Sequence, residues 1–214
     1  MIGQTRLQNN IEPVKPIISK RKPLRYKEND YSLEGSYFVT ICTKEHQMLF
    51  GGIVNGEMNC NRTGKIAEQC WNDLPKHFSN IILDEFVVMP NHVHEIIVLV
   101  EKPCRDVQLN IPTEEYFSKI SPKSHSLSVI VRTYKAAVTT ICRQKGYNYF
   151  QWQKGYYDHI IRNKKGLQNI QQYIYDNPIR WNVDKENSDR IGEDEFEKWL
   201  KKEGNQKITT REIL

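Results

Sequence analysis

The chain has 214 residues, 38% of them apolar and 27% charged, and a formal net charge of +5, with a mean hydropathy of −0.66. That length suits one domain with tails and a core of useful size, and no run approaches the ~18–20 apolar residues that span a membrane. The first residues lack the apolar centre of a signal peptide, so a cytoplasmic location is expected. Five widely spaced cysteines, Cys42, Cys60, Cys70, Cys104 and Cys142, form no Cys-x-x-Cys pair. This argues against a disulfide framework and against a structural zinc site, and for thiols in a reducing compartment.

Residues 1–30 are polar and basic and read as an extended arm ahead of a domain over 31–182. Residues 37–43 (Tyr-Phe-Val-Thr-Ile-Cys-Thr) are β-branched and aromatic and predict a strand. Glycines and an Asn55-Gly56 turn predict a small hairpin over 51–58. Thr63 is placed as the N-cap of a helix reaching about His77, with Ile66, Ala67, Cys70, Trp71 and Leu74 at helical spacing. Two apolar strands follow, over 81–89 and 93–100, separated by Pro90-Asn91. Residues 101–123 are proline-punctuated and mixed in charge, a long loop or insertion.

Leu127, Ile130, Val131, Tyr134, Val138 and Ile141 predict a helix to about Lys145. Another strand is expected over 156–162, and a last core helix from about Lys165 to Asp176, stopped by Pro178. Residues 183–214 read as an acidic C-terminal tail with a possible short helix near 193–202. The order β-α-β-β-α-β predicts an α+β, ferredoxin-like antiparallel sheet with helices packed on one face.

The stretch that carries chemistry opens the strand after Pro90-Asn91. His92 and His94 flank Val93, and residues at i and i+2 of a strand point the same way, roughly 6–7 Å apart. Two neutral imidazoles on one face can share a divalent cation, and a third ligand must come from elsewhere. Tyr173 and Asn177 lie four apart on one face of the last helix. There Asn177 can offer a carbonyl oxygen and Tyr173 a phenol, a possible covalent nucleophile. The plainer reading makes Tyr173 a core aromatic and Asn177 a helix cap.

These residues resemble two known motifs. Met89-Pro90-Asn91-His92-Val93-His94 is similar to the histidine–hydrophobic–histidine (HUH) motif of single-strand DNA endonucleases. Tyr173-Ile174-Tyr175-Asp176-Asn177-Pro178 resembles the Tyr-Ile-x-x-Asn-Pro motif of the REP-associated tyrosine transposases. The strand near 37–43 and the run from Phe150 to Asn163 are similar to the same family, in the same order, so the resemblance covers roughly residues 21–182.

It implies a divalent metal, Mg²⁺ or Mn²⁺, held by His92, His94 and Asn177, with Tyr173 as nucleophile. The implied reaction is cleavage and rejoining of single-stranded DNA at or near hairpin-forming repeats through a 5′-phosphotyrosine link. It implies no membrane, and a monomer or a homodimer. A catalytically silent hairpin-DNA-binding protein, or a zinc-dependent hydrolase without a covalent intermediate, are the alternatives.

From Lys119 to Arg180 the chain carries eleven basic and only two acidic residues, a local excess of nine positive charges. Such a field favours a polyanion. Aromatics crowd into the same span, and base–aromatic stacking contributes about 1–3 kcal/mol per base in single-strand binding. Arg132, Lys135, Trp152, Lys154, Tyr156, Tyr157, His159 and Arg162 are the candidate DNA contacts.

Overall fold

A computed structural model describes residues 34–100 and 126–204. The N-terminal arm, the proline-punctuated segment over 101–123 and Cys104 lie outside the described residues. No described helix is long and apolar enough to cross a membrane.

Four strands form the main sheet: β1 (Gly35–Cys42), β4 (Ile81–Val88), β5 (His92–Leu99) and β6 (Tyr157–Ile161). Their spatial order is β4-β5-β1-β6, and every neighbouring pair is antiparallel. Helix α1 (Arg62–Asp73) connects β1 to β4, and α2 (Leu127–Gln144) connects β5 to β6. This is the ferredoxin-like arrangement. Strands β2 (Gly51–Val54) and β3 (Glu57–Cys60) form a separate hairpin. It turns at Asn55-Gly56, both at positive φ, as a tight two-residue hairpin turn requires.

The two connecting helices cover one face. Tyr37, Val39 and Ile41 of β1 and Val93, Ile97 and Leu99 of β5 pack there with Ile66, Cys70 and Trp71 of α1 and Ile130, Tyr134 and Val138 of α2. A packing of helices on one face alone is incomplete, because β5 is apolar on both sides. Ile96 and, beside it, Phe38 of β1 require a second cover. That cover is α3 (Lys164–Asp176), through Ile170, Tyr173 and Ile174, with Phe196, Trp199 and Leu200 of α4 (Glu195–Gly204). The short helix expected near the C-terminus packs on this second core.

One helix start differs from the sequence expectation. Asn61, not Thr63, caps α1: its Oδ1 accepts from the Thr63 and Gly64 amides at 2.9 and 3.0 Å. Thr63 is drawn inward, its hydroxyl donating to the Leu49 carbonyl. The α-helix stops at Asp73 because Pro75 follows, and one 3₁₀ turn, Leu74–Lys76, completes it. For α3 the cap is Asn163, whose Oδ1 accepts from the Gly166 amide at 2.7 Å.

Candidate functional site

The break between β4 and β5 sets the site. Val88 pairs with Val93, and the Met89 amide donates to the His92 carbonyl at 2.8 Å, closing a tight turn over Pro90-Asn91. His92 and His94 therefore leave the strand on the face that α3 covers. Val93 and Glu95 point to the other side, Val93 into the core beneath α1 and α2.

Both imidazoles are fully buried, and their Nε2 atoms lie 3.0 Å apart. The outer nitrogens are held as well. His92 Nδ1 meets Asn91 Oδ1 at 2.8 Å, and His94 Nδ1 meets Thr40 Oγ1 at 2.9 Å, its direct partner in the β1–β5 register. The Asn91 amide nitrogen already donates to the His46 and Glu186 carbonyls, so Asn91 Oδ1 acts as acceptor. The proton of a neutral His92 then sits on Nδ1, and the Nε2 lone pair faces His94. Burial, and next the neighbouring His94 ring, hold His92 well below its ordinary pKa. It is the neutral base that a metal ligand must be.

Helix α3 brings the phenol. Tyr173 Oη is 3.4 Å from His94 Nε2 and donates to Asp184 Oδ2 at 3.0 Å. Asn177, one turn on, donates its amide nitrogen to the same Asp184 oxygen at 2.9 Å. Its own Oδ1 is buried and accepts no hydrogen bond. The expectation that these two residues share a helical face with the phenol near the histidines therefore matches the geometry.

Asp184 is the residue that sequence reasoning missed. It is buried, and its Oδ2 stands 3.9 Å from His94 Nε2. Burial alone would raise its pKa. The His92 and His94 rings, together with the hydrogen bonds it accepts, outweigh this and hold it below the ordinary carboxylate range. Its Oδ1 accepts from the Glu186 amide at 2.7 Å, which fixes the carboxylate. Nothing in a short acidic stretch after Asn182 announces that one of its carboxylates folds back beneath a strand.

His92, His94 and Asp184 offer three ligand atoms within 4.8 Å of one another. Bond lengths of about 2.0–2.2 Å to nitrogen and oxygen place neighbouring ligand atoms close to 3 Å or somewhat more apart. Two imidazoles, one carboxylate and an amide oxygen without a hydrogen-bond partner make a donor set that can hold a divalent cation.

The phenol is covered. Tyr173 is 3% exposed, with Phe196 of α4 stacked on its ring. Burial, and then the Asp184 and Asp194 carboxylates, push its pKa far above the ordinary phenol value. Arg180 lies 5.8 Å from the same ring and pairs with Asp194 at 3.4 Å.

The candidate DNA contacts divide. Lys135 donates to the carbonyls of Gln153 and Gly155, each at 2.7 Å, and burial lowers its pKa to about 8. Trp152 donates to the Lys135 carbonyl at 3.1 Å and packs on Phe50, Phe150 and Tyr134. Tyr156 packs against the same core. These three side chains serve packing, because they tie the segment over 152–156 to the middle of α2 and its core. Burial, and then Arg162, lower the His159 pKa to about 4, leaving it neutral near pH 7. Arg132, Lys154, Tyr157 and Arg162 are exposed. Tyr157 is the informative one, since Thr40 pairs with it on one side and with His94 on the other. The three residues form a row across the sheet, with an exposed aromatic at the open end.

No family model matches this sequence. Among solved structures the chain is similar to a REP-associated tyrosine transposase bound to a REP hairpin, with 19% identity, 73% of each chain covered and a TM-score of 0.49. It is also similar to a candidate transposase from Deinococcus radiodurans R1, with 14% identity, 71% of this chain and 96% of that one covered, and a TM-score of 0.39. Both likenesses are too slight to transfer a function. A much nearer relative is an uncharacterized protein of Haemophilus influenzae (strain Rd), 40% identical over 169 residues, which are 78% of this chain and 93% of that protein. At that identity and coverage, this chain belongs to the same family as the Haemophilus influenzae protein.

Proposed function

We propose that this protein is a metal-dependent single-stranded DNA endonuclease and strand transferase of the REP-associated tyrosine transposase kind, acting at or near hairpin-forming DNA. One observation carries the reading: the Tyr173 hydroxyl lies within 3.4 Å of His94 Nε2 and 3.0 Å of Asp184 Oδ2, beside paired imidazoles. A core aromatic would not need a buried carboxylate and two histidines at its polar end. The motif resemblance over His92-Val93-His94 and Tyr173 to Pro178 points the same way.

His92, His94 and Asp184 would hold the divalent cation, with the partnerless Asn177 Oδ1 as a further oxygen donor. Of Mg²⁺ and Mn²⁺, the two-nitrogen donor set suits Mn²⁺ better. Such a cation, when bound, polarises a phosphodiester and stabilises charge on the attacking and leaving oxygens.

The chain's own groups account for the rest. Asp184 Oδ2 accepts the Tyr173 O–H hydrogen bond and orients the phenol, whose proton passes to solvent. As that proton departs, Tyr173 Oη bonds to phosphorus and the bond from phosphorus to the 3′-oxygen breaks. The 3′-oxygen takes up a proton and leaves as a hydroxyl, with the 5′-phosphate on Tyr173. The reverse attack by a 3′-hydroxyl rejoins strands without an external energy source. Tyr157, at the open end of the Tyr157–Thr40–His94 row, offers a base-stacking surface, and Arg132, Lys154 and Arg162 offer phosphate contacts. DNA reaches Tyr173 only when Phe196 moves off its ring.

The test incubates the protein with hairpin-bearing single-stranded oligonucleotides and Mn²⁺, and resolves the products on a denaturing gel. A covalent adduct that is lost in Tyr173→Phe is expected. Cleavage without an adduct would replace the reading with a hydrolase, and binding without cleavage would replace it with a silent hairpin binder.

A further inference from the structure

A second group of ligand atoms lies on the same sheet face, outside the centre described above. Cys42, His46 and Glu186 place a thiol sulfur, an imidazole nitrogen and a carboxylate oxygen within 4.8 Å of one another. Their positions follow from the fold. Cys42 ends β1 and pairs with His92 in register, so its thiol emerges on the α3 face. The chain then turns sharply, with Glu45 and His46 both in the left-handed region at φ 55 and 53, a conformation that non-glycine residues adopt only when held there.

What holds His46 is Asn91, whose amide nitrogen donates to the His46 carbonyl at 3.2 Å and to the Glu186 carbonyl at 2.7 Å. Thr43 adds its hydroxyl, 2.7 Å from the Gln47 carbonyl and 2.9 Å from that of Asn91. The His46 Nδ1 atom is itself buried and makes no hydrogen bond, although it stands 3.4 Å from Glu186 Oε2. That spacing matches neighbouring ligands of a tetrahedral ion with bonds of about 2.0–2.3 Å.

We infer that Cys42 Sγ, His46 Nδ1 and a Glu186 carboxylate oxygen form a second metal site, selective for a zinc-type cation, with one position left for water. The donor chemistry decides the class of ion. A thiolate with an imidazole suits Zn²⁺ far better than Mg²⁺ or Mn²⁺, so the two neighbouring sites would take different metals.

Binding converts the Cys42 S–H into a metal–thiolate bond and releases one proton to solvent. Burial and the nearby Glu186 charge keep the thiol protonated without the ion. Lys185 lies 3.3 Å from Glu186 Oε1 and is the cation that competes for the carboxylate. His46, about a third exposed, leaves an entry path. Linear spacing hides such a site, because its ligands span 144 positions and include no Cys-x-x-Cys pair.

Asn91 also ties the two sites together. Its oxygen meets His92 Nδ1 while its nitrogen holds the backbone of both His46 and Glu186. A loaded second site would fix the segment that carries Asp184.

Cobalt is the probe, because Co²⁺ occupies zinc sites and shows thiolate-to-metal charge-transfer absorption. Metal-free full-length protein titrated with Co²⁺ is expected to develop that band and to saturate it at one equivalent. Cys42→Ser should abolish the band, and His46→Ala should weaken the band-forming affinity at least tenfold with the metal-free melting temperature unchanged. His92→Ala should leave the band in place, which separates this site from the proposed catalytic one. No band in the wild-type protein, a band that survives Cys42→Ser, or an unchanged affinity in His46→Ala would overturn the inference. Should Cys42→Ser fail to fold, the His46→Ala titration decides alone.

Discussion

Tyr173 and Phe196 lie face to face, ring centroids 3.6 Å apart and planes 8° from parallel. The residue proposed as nucleophile is thus capped by a helix that begins 22 residues after it. Trp199 continues the aromatic layer at 5.3 Å from Phe196, and Phe38 meets both rings edge-on. The stack stabilises the second core and at the same time shields the phenol from any phosphodiester.

Phe196→Ala is expected to separate these two effects. Losing a partly buried aromatic with its stacking partner should destabilise the fold by about 2–4 kcal/mol, read from urea melts. The same change should speed formation of the covalent DNA adduct by uncovering Tyr173. An adduct that forms no faster, at a temperature where the variant stays folded, would mean that α4 does not limit access.

Asp184 and Asn177 can be ranked as ligands. Asp184→Ala removes an ionised oxygen beside both imidazoles, and should weaken Mn²⁺ binding more than tenfold in calorimetric titrations. Asn177→Ala should weaken it less, because a neutral amide oxygen contributes less than a carboxylate to a hard cation. The opposite order would restore Asn177 as the principal third ligand.

The basic span should divide by exposure. Lys154→Ala and Arg162→Ala are expected to weaken single-strand binding and to lower the magnitude of the salt slope by about one each. Lys135→Met should leave that slope unchanged. It removes two hydrogen bonds to loop carbonyls, and should cost about 1–3 kcal/mol of stability. A salt-slope change in Lys135→Met would place its ammonium on DNA after all.

Two core thiols set an alkaline limit. Burial raises Cys70 and Cys142 from 9.0 to about 11. Between these values the unfolded chain has released protons that the folded chain keeps, so stability falls as pH rises. It is complete below about pH 9 and declines through 11. Lys135, lowered to about 8, acts with the opposite sign, but burial raises Cys42 and Cys60 as well, so four thiols oppose one lysine. Denaturant midpoints at pH 8, 9.5 and 10.5 should decrease in that order, and the decline should shrink in a Cys70→Ala, Cys142→Ala double variant.

Much of this molecule is legible in the order of its residues. Alternation along 37–42 and 92–99 and the helical spacing from Leu127 and from Ile66 define the β-α-β-β-α-β core. The period-2 rule places His92 and His94 on one face, and the period-3.6 rule places Tyr173 and Asn177 on another. Each is a local geometric fact that tertiary contact does not alter. What the linear pattern could not supply is which distant pieces close on that face. Asp184, Asp194 and Phe196 read as part of an acidic tail, and Cys42, His46 and Glu186 carry no shared spacing. They converge because β5 is apolar on both sides and must be covered twice, and because Asn91 clamps two loops that lie 140 residues apart. Burial and long-range hydrogen bonds are set by the closed fold, and they alone decided which carboxylate meets the histidines and which lysines remain free for a phosphate.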